Sequence, residues 1–389
     1  MLHGLTKVIG QASRHVPETL WAPRQVERMR ALAERFPAVS GRTVGAVRLG
    51  VMGLEMRLAA GADQVDLLFI VLAEDRDAIL ALAADEADGA WMRADPHWSR
   101  IVELCRRWAD PASLLGRHVD LLWFEFDVDG GGAQAAVPVP GIFVGFKPAT
   151  TRETDGETWR SILGQVVECL AGAPPRPALA DRFAACVAAV PQGAYVHFIG
   201  MMLSRGAGAV RLVVAGTGDA QIPGYLAEVG WPGAADGLGE TLAAAAGAGV
   251  HTGAASLQVD VADRVLPRIG LEYPFDREAQ VRGRFAERRF LDRMVEMGLC
   301  DPAKRDALLA LPGETTERRE SVGLEVGHAR QVHHVKLVVD PGGVVEAKAY
   351  YGQALTIRRI EPAVHADACF ASDDGGRVEA PAPAVEAAV

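Results

Sequence analysis

The chain has 389 residues, 49% of them hydrophobic, which is enough to bury a large core in one big domain or two of ordinary size. A formal charge of -10, with no long Lys/Arg run to make a basic stripe, argues against a nucleic-acid binder. No stretch approaches the ~20 uninterrupted apolar residues of a membrane span, and Met1 to Pro17 holds no apolar run of signal-peptide length, so the reading is a soluble, cytoplasmic protein.

Residues 1–21 read as an N-terminal arm, and Pro23 opens the first helix in its first turn. Val26, Met29, Ala33 and Phe36, with Leu32 beside them, give that helix an apolar stripe. A regular pattern follows. Pairs of short apolar strands are predicted at 44–58 with 64–73, 118–127 with 139–147, 194–204 with 209–215, 251–261 with 265–273, and 332–340 with 344–351. Between successive pairs lie two helical patterns, for example 75–86 then 96–108, and 152–171 then 177–189. Glycines mark the hairpin turns, and Asp340-Pro341-Gly342-Gly343 is the best local turn signal. Inside the first strand the apolar alternation changes phase at Gly53, where a one-residue bulge is expected.

The order helix, strand, strand, helix thus recurs five times. A single unit cannot bury both faces of its hairpin. Five in series can close into a ten-strand antiparallel β-barrel ringed by helices, an α+β fold with a lumen wide enough for a ligand. This domain spans 22–371, and Ser372 to Val389, rich in Ala, Pro, Asp and Glu, reads as a disordered tail. The five cysteines form no CxxC pair and read as reduced thiols.

Familiar catalytic signatures are absent. No GxxxxGK[ST] phosphate loop, GxSxG elbow, HExxH or DDxxD run occurs. His333 and His334 are adjacent on a strand, point to opposite faces, and do not easily chelate one metal. No metal or other cofactor is expected.

Alternation splits each strand into an outward apolar set and an inward set. Arg48, Lys147, Arg211, Lys336 and Lys348 then converge on one interior. Several cations cannot share a low-dielectric space without a counter-anion or abundant water. A diphosphate would satisfy them, with Arg offering bidentate hydrogen bonds and Lys point charge. Glu55, Glu125, Asp127, Asp260 and Glu272 are also placed inward, so internal salt bridges are the competing explanation.

Over roughly residues 22–360 the order of elements resembles the aromatic prenyltransferases of the ABBA, or PT-barrel, superfamily. Lys348-Ala-Tyr350 matches that family's Lys-x-Tyr pattern for diphosphate, with Lys336 on the paired strand. Glu55, on the first barrel strand, resembles the family's carboxylate that takes the acceptor's proton. The resemblance implies transfer of a prenyl group from a prenyl diphosphate to an aromatic acceptor, a small molecule or a peptide side chain, in natural-product biosynthesis. Arg48, Lys147, Arg211, Lys336 and Lys348 would bind the diphosphate, and Tyr350 and Tyr195 would shield the allylic cation. Arg48, Lys147 and Arg211 depart from the pattern in lacking a tyrosine two residues on. Fold does not establish reaction. The alternative is a non-catalytic binding or accessory protein of a peptide-natural-product pathway, built on the same barrel.

Overall fold

Period-2 alternation and glycine-marked turns make hairpins, and five hairpins build this molecule. The structure is a computed structural model. It describes residues 5–36, 42–44, 47–128, 137–153, 155–206, 208–234, 238, 255–276, 279–280, 288–319 and 323–359. The strands are β1 (Arg42–Val44), β2 (Val47–Arg57), β3 (Val65–Val71), β4 (Val119–Asp127), β5 (Gly141–Phe146) and β6 (Tyr195–Met202). They continue as β7 (Val210–Thr217), β8 (Ala255–Val261), β9 (Val265–Pro274), β10 (Gly313–Arg319), β11 (Leu324–Asp340) and β12 (Gly343–Arg359). Each predicted hairpin is present: β2–β3, β4–β5, β6–β7, β8–β9 and β11–β12, all antiparallel.

The hairpins join edge to edge in the order β2, β12, β11, β9, β8, β7, β6, β5, β4, β3, and β3 returns to β2. Ten antiparallel strands therefore close into a barrel. The seam between the first and last of them, β2 and β12, runs in register from Arg57↔Lys348 to Gly50↔Leu355.

The helices surround this barrel. They are α1 (Leu5–Ala12), α2 (Pro23–Ala33), α3 (Ala73–Ala84), α4 (Ala90–Ala94), α5 (Pro96–Ala109), α6 (Leu114–His118), α7 (Pro148–Glu153), α8 (Gly156–Ala171), α9 (Pro177–Ala188), α10 (Ile222–Glu228), α11 (Arg288–Glu296) and α12 (Pro302–Ala310). Asp95 caps α5 by accepting from the amides of His97 and Trp98, and Pro96 fits its first turn. Asp155 caps α8, which stops at Gly172 in the left-handed region (φ 80°). The main core lies between barrel and helices. Outward side chains such as Leu54, Phe69, Phe124, Val144, Leu212 and Leu337 meet Trp98, Ile101, Leu163 and Phe183, all buried.

Three expectations need correction. First, pairing runs straight through Gly53 on both sides, so there is no bulge there. Met52, Leu54 and Met56 face outward by plain alternation; the phase change has another cause, because Val47–Leu49 pair with β1 beyond the stretch that β3 joins. Second, β11 and β12 are 17 residues each, longer than predicted, and their outer halves carry β10 as a further strand. The β10 sequence, GETTERR, has no apolar alternation to reveal it. Third, the N-terminal arm contains α1, whose Leu5, Val8, Ile9 and Ala12 fall at helical spacing and are buried.

One contact fixes the strand that carries Glu55. Lys304 of α12, buried, donates its ammonium to the carbonyls of Arg57 (2.7 Å), Ala59 (3.1 Å) and Ala62, in the turn from β2 to β3. Asp301 N–H adds a bond to the Leu58 carbonyl at 2.8 Å. Lys304→Met strips donors from three carbonyls and should destabilise the fold by about 1–3 kcal/mol in urea titration, with faster amide exchange in the turn. A loss below about 0.5 kcal/mol, the range of ordinary surface changes, would show the contact to be dispensable.

Candidate active site: a charged barrel lumen

With the apolar set outward, the opposite parity of each strand enters the lumen. On β2 these are Glu55 and Arg57, on β12 Glu346, Lys348 and Tyr350, and on β11 His334 and Lys336. The seam register sets Glu55 opposite Tyr350, and β12 pairing sets Lys348 opposite Lys336. Two lysines directly opposed repel one another unless anions lie beside them.

Glu55 is that anion. Only 2% exposed, it accepts from Lys348 Nζ at 2.5 Å and from the Tyr350 hydroxyl. Burial opposes its ionisation, but the Lys348 and Lys336 charges and the two hydrogen bonds outweigh burial and hold the carboxyl well below its usual range. Burial, then the Glu55 charge, push the Tyr350 phenol up, so it stays protonated. The Tyr350 ring stacks on His334 with centroids 3.9 Å apart. Lys336 donates to Gln258 Oε1 at 2.5 Å, and the Gln258 amide donates on to Glu272. Burial, then Arg211, lower the Lys336 ammonium. Burial lowers His334 well below its usual range and leaves it neutral.

The remaining lumen cations carry their own carboxylates. Arg211 grips Asp260 with two bonds of 2.7 and 3.0 Å. Arg57 pairs with Glu346, and Arg205 pairs with Asp127 and stands 3.7 Å from Glu125. Among the described residues Lys336 is the lumen cation with no carboxylate at ion-pair distance. The counter-anion that convergence of cations demanded is therefore supplied largely from within. Among the described residues, carboxyl groups outnumber cations here: Glu55, Asp66, Glu125, Asp127, Asp260, Glu272 and Glu346 against Arg57, Arg205, Arg211, Lys336 and Lys348.

Asp66 was not singled out from sequence, although an Asp inside the apolar strand Val-Asp-Leu-Leu-Phe-Ile-Val is a visible signal. It lies opposite both Glu55 and Asp127 in the register. One carboxylate oxygen each from Glu55, Asp66 and Glu125 fall within 4.8 Å of one another. Burial, then the Glu55 charge, push Asp66 up to about 8 and also raise Glu125. Burial raises Glu272 to about 7.

Other expected residues stand apart. Lys147 follows β5 and donates to the Gly116 carbonyl at 2.9 Å, at the strand end remote from Gly141 and Glu125. Tyr195 begins β6 and is 37% exposed. Arg48 lies on β2, but its side chain is outside the described residues. The wall beside the charged cluster is aromatic. Phe143 lies over Gly200 and Phe198 over Gly145, so closely that an added Cβ would come within 2.6 and 2.7 Å of the rings. A lumen charged on one side and aromatic on the other suits a ligand with an ionic head and a hydrocarbon tail.

No protein-family model matches the chain, and no curated protein matches it. Solved structures do. The apo form of prenyltransferase PriB is 20% identical, with 89% of this chain and 94% of that one covered and a TM-score of 0.53. The PriB complex with product diphosphate is 17% identical over the same shares, also at 0.53. 5-Dimethylallyltryptophan synthase from Streptomyces coelicolor is 18% identical over 90% and 97%, at 0.49. Together with the closed ten-strand barrel, the PriB likeness shows that this chain has the PT-barrel fold. Among the described residues no helix is long and apolar enough to cross a membrane.

The buried carboxyls set opposite pH dependences. Asp66 is raised when folded, so its contribution to stability is full below its usual value of 3.8 and is lost as pH rises through about 8. Asp66→Asn should therefore raise the thermal midpoint above pH 8 and change it little near pH 4. An unchanged pH profile would contradict the burial of that charge. Glu55 is depressed, so its contribution holds above 4.5 and is lost as pH falls through the lower native value. Lys348→Met, which strands Glu55 without its ammonium, should cost about 3–5 kcal/mol at neutral pH in urea titration. A cost under about 1 kcal/mol, the scale of an exposed ion pair, would mean that water reaches the pair.

Proposed function

We propose that this chain transfers a prenyl group from a prenyl diphosphate to an aromatic acceptor, a small molecule or a peptide side chain. One observation carries the reading: Glu55 is held by Lys348 and Tyr350 at the barrel seam, next to Lys336 and Arg211 and across from an aromatic wall. The fold is shared with PriB, one structure of which holds product diphosphate.

The donor's diphosphate would bind Lys336 first, the cation without a carboxylate partner, and then Lys348 and Arg211. Drawing Lys348 toward phosphate removes the charge that depresses Glu55. Burial then faces only Lys336 and the Tyr350 hydrogen bond, so the carboxyl rises and donor binding makes Glu55 a better base. The allylic C–O bond breaks, and its electron pair leaves with the diphosphate, stabilised by the cations. The acceptor's aromatic carbon forms the new C–C bond with the allylic cation, and the proton on that carbon passes to Glu55. Tyr350, stacked on His334 by one face, would shield the cation with the other.

The internal pairing of Arg211 and Lys348 favours a second reading, a barrel that binds an anionic ligand without catalysis. Mass spectrometry with dimethylallyl or geranyl diphosphate and Trp-, Tyr- or His-containing acceptors separates the two. Prenylated product is expected, reduced about 10²–10⁴-fold in Glu55→Gln with donor binding retained. Lys336→Ala should weaken the donor-induced rise in thermal midpoint. Donor binding with no product from any acceptor would favour the second reading, and no donor response at all would exclude prenyl transfer and leave the second reading with another anionic ligand.

A further inference from the structure

Three carboxylates on three adjacent strands meet in a dry place. Glu55 of β2, Asp66 of β3 and Glu125 of β4 are 2%, 1% and 5% exposed, and one oxygen from each lies within 4.8 Å of the others. Glu55 has its lysine and tyrosine, and Glu125 has the edge of Arg205, a guanidinium already committed to Asp127. Among the described residues Asp66 has only Gln64, which donates to Oδ1 at 3.0 Å; its buried Oδ2 accepts from none of them. An acceptor sealed from water without a donor is rare and calls for a partner.

We propose that Glu55, Asp66 and Glu125 form a site for one hard divalent cation, magnesium or calcium. Bonds from such a cation to oxygen of about 2.0–2.6 Å join oxygens up to about 4–5 Å apart, which the cluster satisfies. An all-oxygen donor set selects hard cations over zinc or copper. Each carboxylate oxygen has two lone pairs, so Glu55 keeps its bonds to Lys348 and Tyr350 while it ligates. The two lysines facing this space oppose a cation, but their ammonium groups are directed at Glu55 Oε1 and Gln258 Oε1.

A cation on the triad would compensate three carboxylates that otherwise repel one another in a low-dielectric place. The sequence has no DDxxD run because the three carboxylates come from separate strands and meet only in the folded barrel.

The test uses the metal-stripped full-length protein with no prenyl donor, so failure here leaves prenyl transfer standing, and failure of donor binding leaves the cation site standing. Calcium and magnesium chloride are titrated calorimetrically near neutral pH. Expected is one saturable site that takes up a single metal ion. Asp66→Asn and Glu125→Gln, each checked for native circular dichroism, should weaken binding at least about tenfold. Asp260→Asn, which removes a lumen carboxylate outside the triad, should leave it near wild type; should Asp66→Asn not fold, Glu125→Gln decides. No saturable binding at millimolar metal, equal binding by the triad variants, or binding of methylammonium in place of either metal would each overturn the proposal.

Discussion

The buried pair of Glu55 and Lys348 is the interaction on which the rest turns. Its partners lie 293 residues apart and meet because β2, the first barrel strand, zips against β12, the last. Removing two charges from water costs several kcal/mol per ion, and their attraction repays it only with good geometry and further hydrogen bonds. Tyr350 supplies one such bond. A one-residue slip of the seam would turn Glu55 toward the helices and Leu54 or Met56 into the lumen, which both faces forbid. Register, closure and site are therefore one constraint.

That constraint also shapes what the lumen can do. Neutral pairs such as Arg211 with Asp260 hold the wall rigid and add little net charge. The incompletely matched groups among the described residues are Lys336 among the cations, and Asp66, Glu125 and Glu272 among the acids. An anionic head that competed for Lys348 would raise the basicity of Glu55. The aromatic surface built by Phe143, Phe198 and their paired glycines offers an apolar tail a place beside the charge.

Much of this was legible in the sequence, and the failures are instructive. Hairpins were readable because alternation and turn chemistry agree, most plainly where Asp340-Pro341-Gly342-Gly343 joins β11 to β12. Alternation also put Glu55, Arg211, Lys336, Lys348 and Tyr350 on inward faces, and the structure gathers them. Parity gives a face but not a height along the barrel. Lys147 and Tyr195 sit at strand ends away from the cluster for that reason. Nor does parity reveal pairing across strands, which depends on shear, so the carboxylates that neutralise Arg57 and Arg211 could not be matched to them beforehand. Gly53 misled because a change of environment along β2 imitates a bulge in the pattern.

The most direct test is a crystal structure with a non-hydrolysable thiodiphosphate analogue of geranyl diphosphate. Expected is a diphosphate inside the barrel bonded by Lys336, Lys348 and Arg211, with the Lys348 ammonium drawn off Glu55 and the hydrocarbon along Phe143 and Phe198. An analogue bound outside the barrel, or inside with the Glu55–Lys348 pair undisturbed, would contradict the central claim.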